Sequence, residues 1–120
     1  MSPALKALAE RAIAAGAPEA DDHTIIVVPG VSFRSVLTGL VYDRLTRLPL
    51  LSDPSWLGWV LDEVSRRGYE YCLNARETRV SWLTMPHGLV DPEAVSSGVV
   101  ADRPEALVAL LEATHAKSTP

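Results

Sequence analysis

The sequence predicts an α+β fold: an antiparallel sheet of three or four strands packed by helices, in the order α-β-α-α-β-β-β-α. Three observations predict it. Asp53–Gly68 and Asp102–Ala116 each read as a capped, amphipathic helix. Between them, Tyr69–Ala75 and Thr78–Met85 alternate apolar and polar residues as a strand pair does. Upstream, Thr24-Ile25-Ile26-Val27-Val28 is a β-branched apolar run, the mark of a strand covered on both faces. Helices cannot hide their apolar faces alone, and a sheet with one polar face needs cover only on the other.

The elements follow in chain order. Ser2-Pro3 opens a first helix whose apolar positions are Leu5, Leu8, Ala12 and Ile13, and Gly16 stops it. Ala17–Asp22 is a polar linker, and Pro29-Gly30 ends the Thr24–Val28 strand. Phe33, Val36, Leu37, Leu40, Val41, Leu45 and Leu48 follow three-four spacing, which predicts a helix capped by Ser32 and stopped by Pro49. Gly39 inside it costs about 1 kcal/mol against alanine and marks a close contact on that reading.

Asp53-Pro54 opens the next helix, with Leu57, Val60, Leu61 and Val64 facing the core and Gly68 closing it after Arg66-Arg67. The loop Ala75–Thr78 joins the strand pair, Pro86–Ser97 reads as loop, and Val99-Val100 as a short third strand. Asp102 and Glu105 stand in capping-box spacing before Leu107, Leu110 and Leu111. No internal repeat is read. The expectation is a single domain over residues 1–117, with a helix–strand–helix part at 1–52, a helix–hairpin–strand–helix unit at 53–117 and a tail at 118–120.

Composition bounds the function. At 48% apolar residues the chain is globular rather than disordered, and a charge of −4 supplies no global field for nucleic acid. Cys72 is the single cysteine, so no internal disulfide forms and a zinc cage built mainly of thiolates is excluded. No apolar run approaches the roughly 20 residues of a membrane span, and no signal-peptide pattern is read, so the expected setting is cytoplasmic.

The helix ending Arg67-Gly68-Tyr69, the hairpin tryptophan Trp82, and the run Val100-Ala101-Asp102-Arg103-Pro104-Glu105-Ala106-Leu107 carry a resemblance. Over Trp56–Ala116, about half the chain, the sequence resembles the phage ABA-sandwich domain of small phage and prophage proteins. HicB-like antitoxin domains share the strand-then-helix ending. The motifs are structural punctuation, so the resemblance implies a phage-type accessory protein and brings no catalytic residues with it. The first 52 residues match no family pattern.

Candidate chemistry is sparse. His23, Cys72, His87 and His115 show no ligand spacing, and no metal or cofactor is expected. Cys72, mid-strand, reads as a small buried or half-buried residue, and His115 as a helix-end cation. Asp62-Glu63 and Asp21-Asp22 are neighbours in sequence and do not converge on one substrate. Asp91 and Glu93 near His87 would make a loop-borne acid–base site. Pro29-Gly30-Val31-Ser32 has the place of a phosphate loop but one glycine and no lysine.

Two residues break their local pattern. Arg44 interrupts the apolar stripe of the helix predicted at 33–48, as a snorkelling side chain or as a buried or anchoring charge. Trp59 sits at the edge of an apolar arc, where packing and interface roles both fit. Arg66, Arg67, Arg76 and Arg79 are expected to gather at one end of the C-terminal unit. The position of the lysine cluster of double-stranded-RNA modules holds Asp102-Arg103-Pro104-Glu105 instead, which disfavours nucleic acid.

The expected function is therefore a small non-catalytic accessory protein of phage or prophage type. It docks a protein partner through Trp59, Arg66 and Arg76 and inhibits or modulates a host factor; a homodimer remains open. The alternatives are a HicB-like antitoxin or nucleic-acid regulator, and a small hydrolase with a His87 loop site.

Overall fold

The computed structural model describes residues 2–20, 24–28, 32–88 and 91–118. Its elements are α1 (Pro3–Ala14), β1 (Thr24–Val28), β2 (Ser32–Ser35), β3 (Val41–Asp43), α2 (Pro54–Arg66), β4 (Tyr69–Arg76), β5 (Arg79–Pro86), β6 (Ser96–Val100) and α3 (Arg103–Ser118). The class is α+β with antiparallel pairing, as the sequence predicts. The strands form two three-stranded sheets, β1-β2-β3 and β4-β5-β6, rather than one. The chain divides into two compact units, Met1–Trp59 and Val60–Pro120, with the boundary inside α2.

In the first unit, Ser2 caps α1 by accepting a hydrogen bond from the Leu5 N–H at 3.3 Å, and Gly16 takes the left-handed conformation that ends it (φ 101°). Ala9, Ala12, Leu40, Val41, Tyr42, Leu51 and Trp56 are buried. The Tyr42 hydroxyl donates to the Pro18 carbonyl at 2.6 Å, tying the linker after α1 to the sheet.

The helix predicted over 33–48 is absent. That stretch is β2, a turn, β3 and a second turn, so the element order is α-β-β-β-α-β-β-β-α. The reason is a repeat that apolar periodicity conceals. Ser35-Val36-Leu37-Thr38-Gly39-Leu40 and Asp43-Arg44-Leu45-Thr46-Arg47-Leu48 lie eight residues apart and fold alike. In each, the first residue's N–H donates to the last residue's carbonyl (Ser35 to Leu40, 2.9 Å; Asp43 to Leu48, 2.8 Å). The fifth residue's N–H donates to the first residue's carbonyl (Gly39 to Ser35, 3.0 Å; Arg47 to Asp43, 2.8 Å).

The side chains repeat as well. Ser35 Oγ accepts from the Thr38 N–H at 3.4 Å, and Asp43 Oδ2 from the Thr46 N–H at 2.9 Å. The fifth position is left-handed in both copies, at φ 77° for Gly39 and φ 58° for Arg47. Short polar side chains that bond the backbone two to four residues on compete directly with helix, and here they prevail.

In the second unit, cross-strand partners define two faces of the β4-β5-β6 sheet. One face carries Tyr69, Tyr71, Leu73 and Ala75, then Val80, Trp82, Thr84 and Pro86, then Ser96, Gly98 and Val100. Tyr69, Val80 and Thr84 on it are buried, and α3 packs over all three strands with Ala106, Leu107, Val108, Leu110 and Leu111 buried. Gly98 makes room for Trp82: a Cβ there would lie 2.7 Å from the indole Nε1. The expected cap forms with its return bond shifted by one residue: Asp102 Oδ1 accepts from the Glu105 N–H at 2.9 Å, while Glu105 Oε2 accepts from the Ala101 N–H at 3.2 Å rather than from that of Asp102.

Candidate functional site: the open face of the second sheet

The other face of the β4-β5-β6 sheet presents Glu70, Cys72, Asn74 and Arg76, then Arg79, Ser81, Leu83 and Met85, then Ser97 and Val99. Leu83 and Met85 are half-buried, and the rest are exposed, Val99 at 57%. Strand alternation puts them there: each of these residues is flanked within its strand by residues that turn inward toward α3, and faces a cross-strand partner on the same open face. The result is a shallow depression of about 300 Å³ lined by Cys72, Asn74, Ser81, Leu83, Ser97 and Val99. At the hairpin tip, Arg76 and Arg79 face each other across the strands, both exposed. Such a surface has apolar spots within a polar rim, the make-up of a recognition surface.

The arginines do not gather. Arg66 ends α2 and Arg67 follows it just before β4 begins, whereas Arg76 ends β4 and Arg79 opens β5 beside it, roughly 23 Å away at strand rise. The first pair is also engaged. Arg66 Nη2 donates to Glu63 Oε1 at 2.6 Å, and Arg67 Nε to the same oxygen at 3.1 Å. Arg67 Nη1 then donates to the Leu111 carbonyl at 3.0 Å and Thr114 Oγ1 at 3.1 Å, fastening the end of α2 to α3.

Burial pushes the Glu63 carboxyl up, but the hydrogen bonds and charges of Arg66 and Arg67 outweigh it and hold it below the usual carboxylate range. Arg66 remains exposed along most of its side chain (76%), while that of Arg67 is 9% exposed. A structural role for Arg67 was missed in the sequence, although Glu63 stands three and four residues before the two arginines, the spacing of helix ion pairs.

Trp59 lies in the first unit, half-buried and stacked on Trp56 with ring centroids 5.7 Å apart. Trp56 itself is 1% exposed, and its Nε1 has no hydrogen-bond partner among the described residues. Arg44 is not in an apolar stripe, because the helix that would have made one is absent; it is exposed in the turn after β3. Cys72 is likewise exposed, not buried, since it alternates onto the open face.

His87 Nδ1 sits 3.6 Å from Glu70 Oε1, and both side chains are more than half exposed, at 51% and 63%. The Asp91 carboxylate caps the short 3-10 turn Pro92–Ala94 by accepting from the Glu93 N–H at 3.1 Å. His87 is thus beside an acid other than the two expected, in water. Asp21, Asp22, His23 and the Pro29-Gly30-Val31 part of the loop before Ser32 lie outside the described residues. Among the described residues, no three His, Cys, Asp or Glu side chains form a group that could hold a metal ion, and no helix is long and apolar enough to cross a membrane.

No family model, curated protein or solved structure matches the chain.

Proposed function

We propose that this chain is a small non-catalytic accessory protein, of the kind phages and prophages encode, that acts by binding another protein on the open face of its second sheet. The observation that carries the reading is the asymmetry of that sheet: α3 covers one face, while the other presents exposed Val99 and Cys72 and half-buried Leu83 within a rim of Asn74, Ser81 and Ser97. The Arg76–Arg79 pair at its edge supplies positive charge beside the apolar spots, the composition of interface hot regions. The resemblance of Trp56–Ala116 to phage ABA-sandwich proteins supports the phage origin.

Purified tagged protein, incubated with bacterial lysate and with single- and double-stranded nucleic acid, tests this. Wild type is expected to retain a defined protein partner. A Leu83→Lys/Val99→Lys variant with unchanged far-UV circular dichroism is expected to lose it, and Arg76→Ala to weaken it. Equal capture by wild type and the lysine variant would sink the open-face reading. Salt-sensitive nucleic-acid binding in the same assay would replace it with the antitoxin alternative. Trp59→Ala separates the two candidate surfaces, because capture lost there alone moves the docking site to the first unit.

A further inference from the structure

We propose that this chain forms a two-fold dimer by pairing β4 with β4 of a second copy, antiparallel and centred on Leu73. The inference concerns the chain's own partner copy and stands independently of the partner protein considered above. Among the described residues, β4 has β5 as its single hydrogen-bonded neighbour strand, so it is an edge. It runs eight residues in unbroken register, with no proline and no bulge. Its interior from Tyr71 to Ala75 holds no charge, so it lacks the devices by which edge strands ordinarily repel one another.

The backbone phase fixes which registers are open. A two-residue loop, Glu77-Thr78, joins β4 to β5, so Arg76 and Arg79 form a bonded pair, and such pairs recur at Asn74, Cys72 and Glu70. Tyr71, Leu73 and Ala75 therefore turn their N–H and C=O groups outward. Two copies pair only when these odd-numbered residues meet one another.

Of the registers that satisfy this, the one centred on Leu73 is self-complementary at every position. Leu73 faces Leu73, and Tyr71, which is 39% exposed, faces Ala75, both on the side that α3 covers. On the open face Cys72 faces Asn74 and Glu70 faces Arg76, giving two symmetric ion pairs. Shifting the centre to Cys72 or Asn74 keeps the backbone phase but breaks both ion pairs. Among the described residues, Glu70 has His87 at 3.6 Å as its one ion-pair neighbour, and no carboxylate pairs with Arg76. With β5 of each copy about three strand spacings (roughly 14 Å) apart, two α3 helices seated mainly over β5 clear each other.

Light scattering coupled to size exclusion across a concentration series tests the proposal on the full chain. Wild type is expected at twice one chain's mass. Glu70→Arg and Arg76→Glu are each expected to shift the protein to monomer by placing like charges opposite, and the double variant to restore the dimer. Ala75→Pro removes one outward N–H without touching the β4–β5 ladder, and is expected to give a monomer with unchanged circular dichroism. Asn74→Cys places its thiol opposite Cys72 of the other copy, and is expected to give a disulfide-linked dimer on mild oxidation. Wild type that stays monomeric, a dimer indifferent to Ala75→Pro, or a charge-swapped double variant that does not recover would each overturn it.

Discussion

At the scale of single residues, Glu63 is the side chain on which most depends. It is 8% exposed, it neutralises Arg66 and Arg67, and through Arg67 it holds α2 to the Leu111 carbonyl and Thr114. Glu63→Gln keeps the shape and removes the charge. It is expected to cost about 1.5–3 kcal/mol at neutral pH, the range for hydrogen bonds to charged groups, measured by urea unfolding. Because the folded carboxyl sits below its ordinary value of 4.5, wild type's advantage over Glu63→Gln is complete above that value. It fades as pH falls through the depressed folded value, so the two unfolding curves converge in acid. This contact was legible in the sequence only as spacing. Glu63, Arg66 and Arg67 lie within one helical turn, but nothing in the residues says that Leu111 and Thr114 stand opposite. Cys72 shows the converse case: its alternation with Tyr71 and Leu73 placed it correctly in β4, yet a free cysteine's usual burial suggested the wrong face.

At the scale of elements, the caps and turns of α1, α2, β4, β5 and α3 follow the sequence closely, because each has a local chemical signal. The stretch 33–48 does not, and the cause is arithmetic. An eight-residue repeat places Leu37 over Leu45 and Leu40 over Leu48, and these intervals of three, five and eight imitate a helical face. The discriminating signal was polar: Ser35 with Thr38, and Asp43 with Thr46, each poised to bond its own turn. Gly39→Ala tests the turn. A side chain at φ 77° is expected to cost about 1 kcal/mol, with no loss of packing since nothing lies within 4 Å of that Cβ. Gly98→Ala is a different experiment at a different element. Its Cβ would meet Trp82 at 2.7 Å, so the indole or β6 must shift; about 1–3 kcal/mol is expected, with an altered near-UV spectrum reporting the tryptophan.

At the scale of the whole molecule, α2 is the one helix that runs through the boundary between the two units, which falls between Trp59 and Val60. Gly58 stands one residue before that pair, exposed, with no atom within 4 Å of its would-be Cβ. Gly58→Ala is expected to raise stability by about 1 kcal/mol, read as a higher urea midpoint at unchanged slope. An unaltered midpoint would mean that this part of α2 is not helical when the rest of the chain unfolds. The sequence divides the chain between residues 52 and 53, at the start of this helix; a boundary inside α2 was not visible there, since the helix has one continuous apolar arc.

The paired turns at Ser35 and Asp43 also set a rule for how this chain can lengthen. Each octamer turns the backbone through a half-circle, so inserting one extra copy would add a strand and leave the polypeptide heading away from Asp53. Inserting two copies in tandem would restore the heading. Tandem duplications of sixteen residues should therefore be accommodated where duplications of eight are not, a parity constraint on growth that a random-insertion library would expose.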